Sequence, residues 1–196
     1  MLRNGLRLAL LGMALTAIVS AVRGPASAGA FLRPKASLTP GTIVIPVVGI
    51  QASALRDTFR AGRAGHVHHA IDILAPRGTP VVAAVDGTIR KLFTSAAGGI
   101  TIYETDPAEE MIYYYAHLDR YADGIVEGQS VRQGDVIGYV GTTGNAPAHT
   151  PHLHFAITIL PPSKEWWKGD AVNPYPILMK KGVTLQAGGG LQVGGR

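Results

Sequence analysis

The sequence predicts an all-β fold, mostly antiparallel, and three observations carry that prediction. Short runs of β-branched, aliphatic and aromatic residues recur from His68 onward, each bounded by a turn signal. No segment shows the sustained apolar period of a long amphipathic helix. Gly (25) and Pro (13) are both frequent, as in turn-rich β proteins. With 196 residues, 46% hydrophobic and 16% charged, the chain can bury one sizeable core and is not a disordered protein.

Residues 1–28 form a secretory signal pattern. Arg3 and Arg7 precede an apolar run at 8–22, and Ala26-Ser27-Ala28 follows as an A-x-A-like cleavage site. The run is short for a membrane span, so an uncleaved anchor is the weaker reading, and no later run is long enough to cross a bilayer. The net charge of +5 looks basic, but residues 1–28 hold Arg3, Arg7 and Arg23 and no acid. The remainder carries 15 basic and 13 acidic side chains, a net of +2, too weak a footprint for nucleic acid. The expected location is the periplasm or the extracellular cell wall. There is no cysteine, so an exported domain must rely on its core and on any metal it holds.

Residues 29–41 are a polar, Pro-containing lead-in, and residues 42–180 are the expected folded domain. Residues 42–47 read as a first strand, with Pro46 at an edge or end. Residues 52–59 fit one or two helical turns, and residues 60–67 read as a loop. Residues 80–84 form a strand ended by Asp86-Gly87, a hairpin-type signal. Strands at 88–93 and 100–104 are joined through Ala96-Ala97-Gly98-Gly99. Residues 106–110 are a turn, and 111–117, with three consecutive tyrosines, is the most β-rich run. Residues 119–134 are loop-rich, 136–140 form a strand, and 141–151 form a Gly/Thr/Pro loop. Residues 150–159 form the last strand, 164–176 an aromatic and Pro-containing loop, and 181–196 a Gly-rich tail expected to be disordered.

All seven histidines lie between His66 and His154. Strand alternation places His152 and His154 on one face, with Leu153, Phe155, Ile157 and Ile159 toward the core. It places His117 with Tyr115 and Tyr113, opposite Tyr114 and Ala116. His68-His69-Ala70-Ile71-Asp72 offers an imidazole and a carboxylate, a set that suits zinc better than calcium. Each pattern alone is weak. Together they supply three ligands for a zinc ion, one open position for water, and spare imidazoles for proton transfer. No H-E-x-x-H is present, so a helical metalloprotease site is excluded. From these residues alone, His152 and His154 are interchangeable in role.

The motifs His68-x-x-x-Asp72, Ala75-Pro76-x-Gly78-Thr79-Pro80-Val81, Tyr115-x-His117-Leu118, Gly134-Asp135-x-Ile137-Gly138, Gly141-x-Thr143-Gly144, Pro151-His152-Leu153-His154-Phe155 and Asn173-Pro174 occur in that order. In this combination the sequence resembles the M23 family of zinc metallopeptidases, the lysostaphin and LytM-type cell-wall endopeptidases. The resemblance covers residues 45–178. It implies a β domain with one zinc ion in a groove on one sheet face, held by His68, Asp72 and His154. It implies His117 and His152 as the catalytic pair that activates the zinc water and stabilises the oxyanion. The implied activity is hydrolysis of peptide bonds in peptidoglycan, whose peptides are the implied binding partner. A non-catalytic regulator of wall enzymes and a peptidoglycan-binding module are the alternatives, the first marked by missing ligands. A regulatory protein partner is left open. The family often has Gly where this chain has Ala70, a difference that bears on substrate clearance. His69 is expected to face away from the metal, and His66 and His149 to be solvated. Trp166-Trp167 fits either a cleft rim or a loop plugging the end of the core.

Overall fold

In the computed structural model the described residues are 43–63, 65–185 and 191–193, with side chains described up to residue 180. The expected signal segment and lead-in lie outside them. In chain order the strands are β1 (Ile43–Val44), β2 (Gly62–Arg63), β3 (His66–Val67), β4 (Ile71–Leu74), β5 (Pro80–Val82), β6 (Gly87–Ser95) and β7 (Gly99–Thr105). They continue as β8 (Met111–Tyr121), β9 (Ser130–Val131), β10 (Val136–Val140), β11 (His152–Ile159) and β12 (Asp170–Val172). Helix α1 (Pro174–Lys181) precedes β13 (Gly182–Leu185) and β14 (Leu191–Val193).

The expected mostly antiparallel β architecture is what the chain adopts. One sheet runs β12-β11-β8-β7-β6-β9, with β4 beside β11 and β10 bridging β8 to β5. Its inner face is built by alternation. Ile71 and Ile73 of β4, Tyr115 of β8, and Leu153, Phe155 and Ile157 of β11 are all buried in one core cluster. Each such side chain removed from water contributes about 1.5–3 kcal/mol. The register Phe155↔Tyr115 stacks two of the largest, with ring centroids 5.3 Å apart. Ile159, expected on the core side, is 49% exposed: it is the last residue of β11, paired with the first residues of β8 and β12 at the end of the sheet.

Several local expectations change. Residues 52–59 hold only a 3₁₀ turn at Ala52–Ala54, after which Leu55 is extended. The loop expected at 60–67 is a small hairpin of β2 with β3. Asp86-Gly87 does not close a hairpin: β5 pairs with β10, and β6 with β7 and β9. Asp86 Oδ1 instead accepts the Gln133 backbone N–H at 2.8 Å, tying two loops together. The loop expected at 164–176 contains β12 and the start of α1. The tail expected to be disordered forms, at its described residues, β13 and β14. Strand β13 lies parallel to β1, which gives that short first strand a backbone partner.

One carboxyl group among the described residues lies inside the core. Glu104 on β7 is fully buried and accepts a hydrogen bond from Tyr115 Oη, which in turn accepts the Ala84 N–H at 2.8 Å. Burial pushes the Glu104 carboxyl up to about 8, against the opposing pull of the Tyr115 bond. The folded chain therefore keeps a proton that the unfolded chain releases in the ordinary carboxylate range. Stability from this group is full below that range and is lost as pH rises toward 8. Glu104→Gln keeps an acceptor for Tyr115 and removes the titration. Urea midpoints measured from pH 5 to pH 8 should fall less in Glu104→Gln than in the wild type.

Candidate active site

Strand β11 is antiparallel to β4 with the register His154↔Asp72 and His152↔Leu74. Side chains of Asp72, His152 and His154 therefore share the outer face, and His68 enters from the loop just before β4. The Thr58 carbonyl accepts His68 Nδ1–H at 3.0 Å, which aims His68 Nε2 at the centre. There it lies 3.0 Å from Asp72 Oδ1 and 3.0 Å from His154 Nδ1, and His154 Nδ1 lies 3.4 Å from Asp72 Oδ1. Asp72 Oδ1 is buried and makes no hydrogen bond of ordinary geometry.

Three potential ligand atoms thus face one another, a cluster able to take a cation. A tetrahedron with metal–ligand bonds of about 2.0–2.2 Å has edges of about 3.3–3.6 Å, and the spacings here lie within about 0.3 Å of that range. The donor set His–Asp–His therefore fits zinc, and His68, Asp72 and His154 form a group able to hold it. Burial works to raise the Asp72 carboxyl, but the His154 and His68 contacts outweigh it and hold the group well below the usual carboxylate range. Asp72 Oδ2 is held from outside by Arg63 of β2 at 2.5 Å. Thr58 Oγ1 accepts the Asp72 N–H at 3.2 Å. Such outer contacts orient metal ligands.

The other two imidazoles sit alongside. His152 Nδ1 donates to the Thr150 carbonyl and His117 Nδ1 to the Thr143 carbonyl, both at 2.8 Å. Each turns its Nε2 away from that carbonyl, and the two ring centroids are 5.0 Å apart. His152 Nε2 is 3.8 Å from Asp72 Oδ1. Burial pushes His117 down to about 4, partly offset by the Thr143 carbonyl, so it is neutral at pH 7.

His117 is not where alternation placed it. Its φ of +60° lies in the left-handed region, and the β7–β8 register shifts between Ile100 and Ile102. This bulge turns His117 from the core face of Tyr115 to the groove face of Tyr114 and Ala116. Tyr113 and Tyr115 are buried in the core, and Tyr114 is the groove tyrosine. The bulge is braced by the loop after β10. Thr143 Oγ1 donates to the Leu118 carbonyl at 2.7 Å and accepts the Ile100 N–H at 3.0 Å. Gly99 (φ +66°) and Gly144 (φ +74°) allow the approach, since a Cβ on Gly144 would lie 2.3 Å from Gly99 N.

The groove has a volume of about 580 Å³ and is lined by all five expected site residues. His66, expected to be merely solvated, also lines it, and so does Arg63. His69 turns away onto Phe59, with ring centroids 5.6 Å apart. His149 is exposed and Ala70 fully buried with a φ outside the left-handed region, so neither faces the groove. Trp166 packs on Tyr103 and Phe93 of the outer sheet face and does not plug the core. Sequence reasoning missed Thr58 and Arg63, which carry no motif signal. It noted Thr143 only within a glycine-rich motif, the one available sign of a close backbone approach.

This fold sets two histidines, each anchored at Nδ1, beside a His–Asp–His cluster able to hold a metal, a set of groups suited to hydrolysis. Residues 66–174 match the model of Peptidase family M23, and the chain belongs to that family. It is 35% identical over 117 residues to an L-Ala--D-Glu endopeptidase of Bacillus subtilis, a match covering 57% of this chain and 34% of that protein. It is 36% identical over 125 residues to the DD-carboxypeptidase/endopeptidase Mpg of Neisseria meningitidis, covering 62% and 25%. The catalytic domain of the antimicrobial peptidase lysostaphin from Staphylococcus simulans superposes with a TM-score of 0.51 at 31% identity, covering 60% of this chain and 83% of that one. The chain thus matches about a third or less of the length of those curated relatives.

Thr143→Val should strand the Ile100 N–H and the Leu118 carbonyl and cost about 1–3 kcal/mol of stability. Thr143→Ser should recover most of it, as read from denaturant midpoints.

Proposed function

We propose that this chain is an exported, zinc-dependent endopeptidase that hydrolyses peptide bonds in peptidoglycan. In this reading residues 1–28 are its export signal, residues 42–180 its catalytic unit, and its location the periplasm or the cell wall. The observation that carries the proposal is the set of three potential ligand atoms 3.0–3.4 Å apart, flanked by two imidazoles anchored at Nδ1. The substrate class rests on relatives that are named as endopeptidases of L-Ala–D-Glu and as an antimicrobial peptidase.

His68, Asp72 and His154 would hold one zinc ion. When bound, zinc supplies a Lewis acid and a water acidic enough to give hydroxide near neutral pH. The chain's own residues do the rest. The Thr143 and Thr150 carbonyls lock His117 and His152 in the tautomer whose Nε2 faces the groove. His117 and His152 can each accept a proton at Nε2 and return it to the leaving amine. Once protonated, either becomes a hydrogen-bond donor for the oxyanion of the tetrahedral intermediate. The open groove admits an extended peptide across β11, and Arg63 keeps Asp72 from swinging outward.

Purified peptidoglycan incubated with the full chain should release new amino termini, and prior removal of metal by a chelator should stop the release. Absence of fragments from fully metallated protein would favour a non-catalytic regulator or binding module. His154→Ala should lose bound zinc and activity together, as measured by metal analysis and fragment release. His117→Ala should keep its zinc and lose about 10²–10⁴ in rate, the usual contribution of a general acid or base.

A further inference from the structure

Beyond the groove, a file of aromatic rings leads away from the site. Tyr114 lines the groove, with its ring 5.9 Å from that of His154. Tyr103 lies 4.6 Å further on, and Trp166 4.6 Å beyond Tyr103. Trp167 and Phe93 flank Trp166 at 5.2 and 5.9 Å, and are 59% and 41% exposed. The sheet register sets Lys91, Tyr103 and Tyr114 in one cross-strand row on the outer face. Lys91 pairs with Glu127 at 2.7 Å, which puts polar groups beside the rings.

We infer that this file is a sugar-binding subsite that takes pyranose rings of the wall glycan to which the substrate peptide is attached. The inference rests on the peptidoglycan reading above and deepens it. Continuity with the groove is the first argument: the rings touch the site through Tyr114 and His154. Shape is the second. Neighbouring rings meet at 42–79°, so the surface is a series of separate facets, not a flat apolar plane suited to a protein partner. A pyranose presents one apolar C–H face to such a facet and its hydroxyl and amide edges to a polar rim. Reach is the third. An extended peptide advances about 3.3–3.6 Å per residue, so the path from His154 to Trp166 spans about four residues. Wall peptides hang from their sugar by short stems, so a scissile bond at the metal leaves the sugar within range of the tryptophans.

The test uses the full chain and two probes. The first is a β-1,4-linked tetramer of N-acetylglucosamine, titrated with tryptophan fluorescence as the readout. Saturable change in the wild type that is lost in Trp167→Ala supports the subsite; no change, or the same change in Trp167→Ala, overturns it. This readout needs no turnover, so it stands or falls apart from the peptidase activity. The second compares a disaccharide-linked stem peptide with the same peptide freed of sugar. Trp167→Ala should lower kcat/KM for the sugar-bearing substrate about three- to tenfold more than for the free peptide, with Trp167→Tyr recovering part of the difference. An equal effect on both substrates would overturn the inference while leaving the peptidase reading intact.

Discussion

Strand β11 is hydrogen-bonded along both edges, and the site depends on that double pairing. On one side, β4 fixes Asp72 opposite His154. On the other, β8 fixes Ala116 opposite the same His154 and so brings the following residue, His117, to the groove. A slip of one residue in either ladder would send a proposed ligand or a proposed catalytic imidazole to the core face. The slip is resisted by Leu153, Phe155 and Ile157 on the reverse side, all buried at 0–1% exposure. The same strand therefore anchors the core with its odd-numbered residues and positions chemistry with its even-numbered ones.

The His117 bulge is the complementary device. Without it, an imidazole on β8 would be buried beside Tyr115 rather than set beside His152. A left-handed backbone at a residue that is not glycine is disfavoured, so the surrounding contacts must hold it. The His117 N–H donates to the Gly98 carbonyl at 2.8 Å, and the Thr143 side chain spans the two strands on either side of the bulge. Backbone geometry and ring orientation are thus set by one loop, since Thr143 also supplies the carbonyl for His117 Nδ1.

Most of this was legible in the sequence where side-chain period and residue type suffice. The strand His152–Ile159 and its inward Leu153, Phe155 and Ile157 follow from alternation, and His68 with Asp72 from ligand chemistry. Alternation failed at His117 because a bulge shifts the period by one without leaving a glycine to mark it. Arg63 and Thr58 were invisible because they act across folds of the chain, through a guanidinium on a two-residue strand and a backbone carbonyl. Strands β4 and β13 escaped notice because pairing partners, not their own composition, make them strands.

Those terminal strands bear on how the unit is carried. Val44 pairs with Val183, and Val183 with Val193, so the first and last described strands flank β13 in one three-stranded ribbon. With neighbouring strands about 4.8 Å apart, the chain enters and leaves the unit at points about 10 Å from each other. The unit hangs from its polypeptide at a single corner. Tension on flanking chain would be borne by this small ribbon, peeling its few hydrogen bonds one after another. Strand β11, in the other sheet, would stay out of the force path, so pulling on the ends of the unit would leave the groove closed to that force.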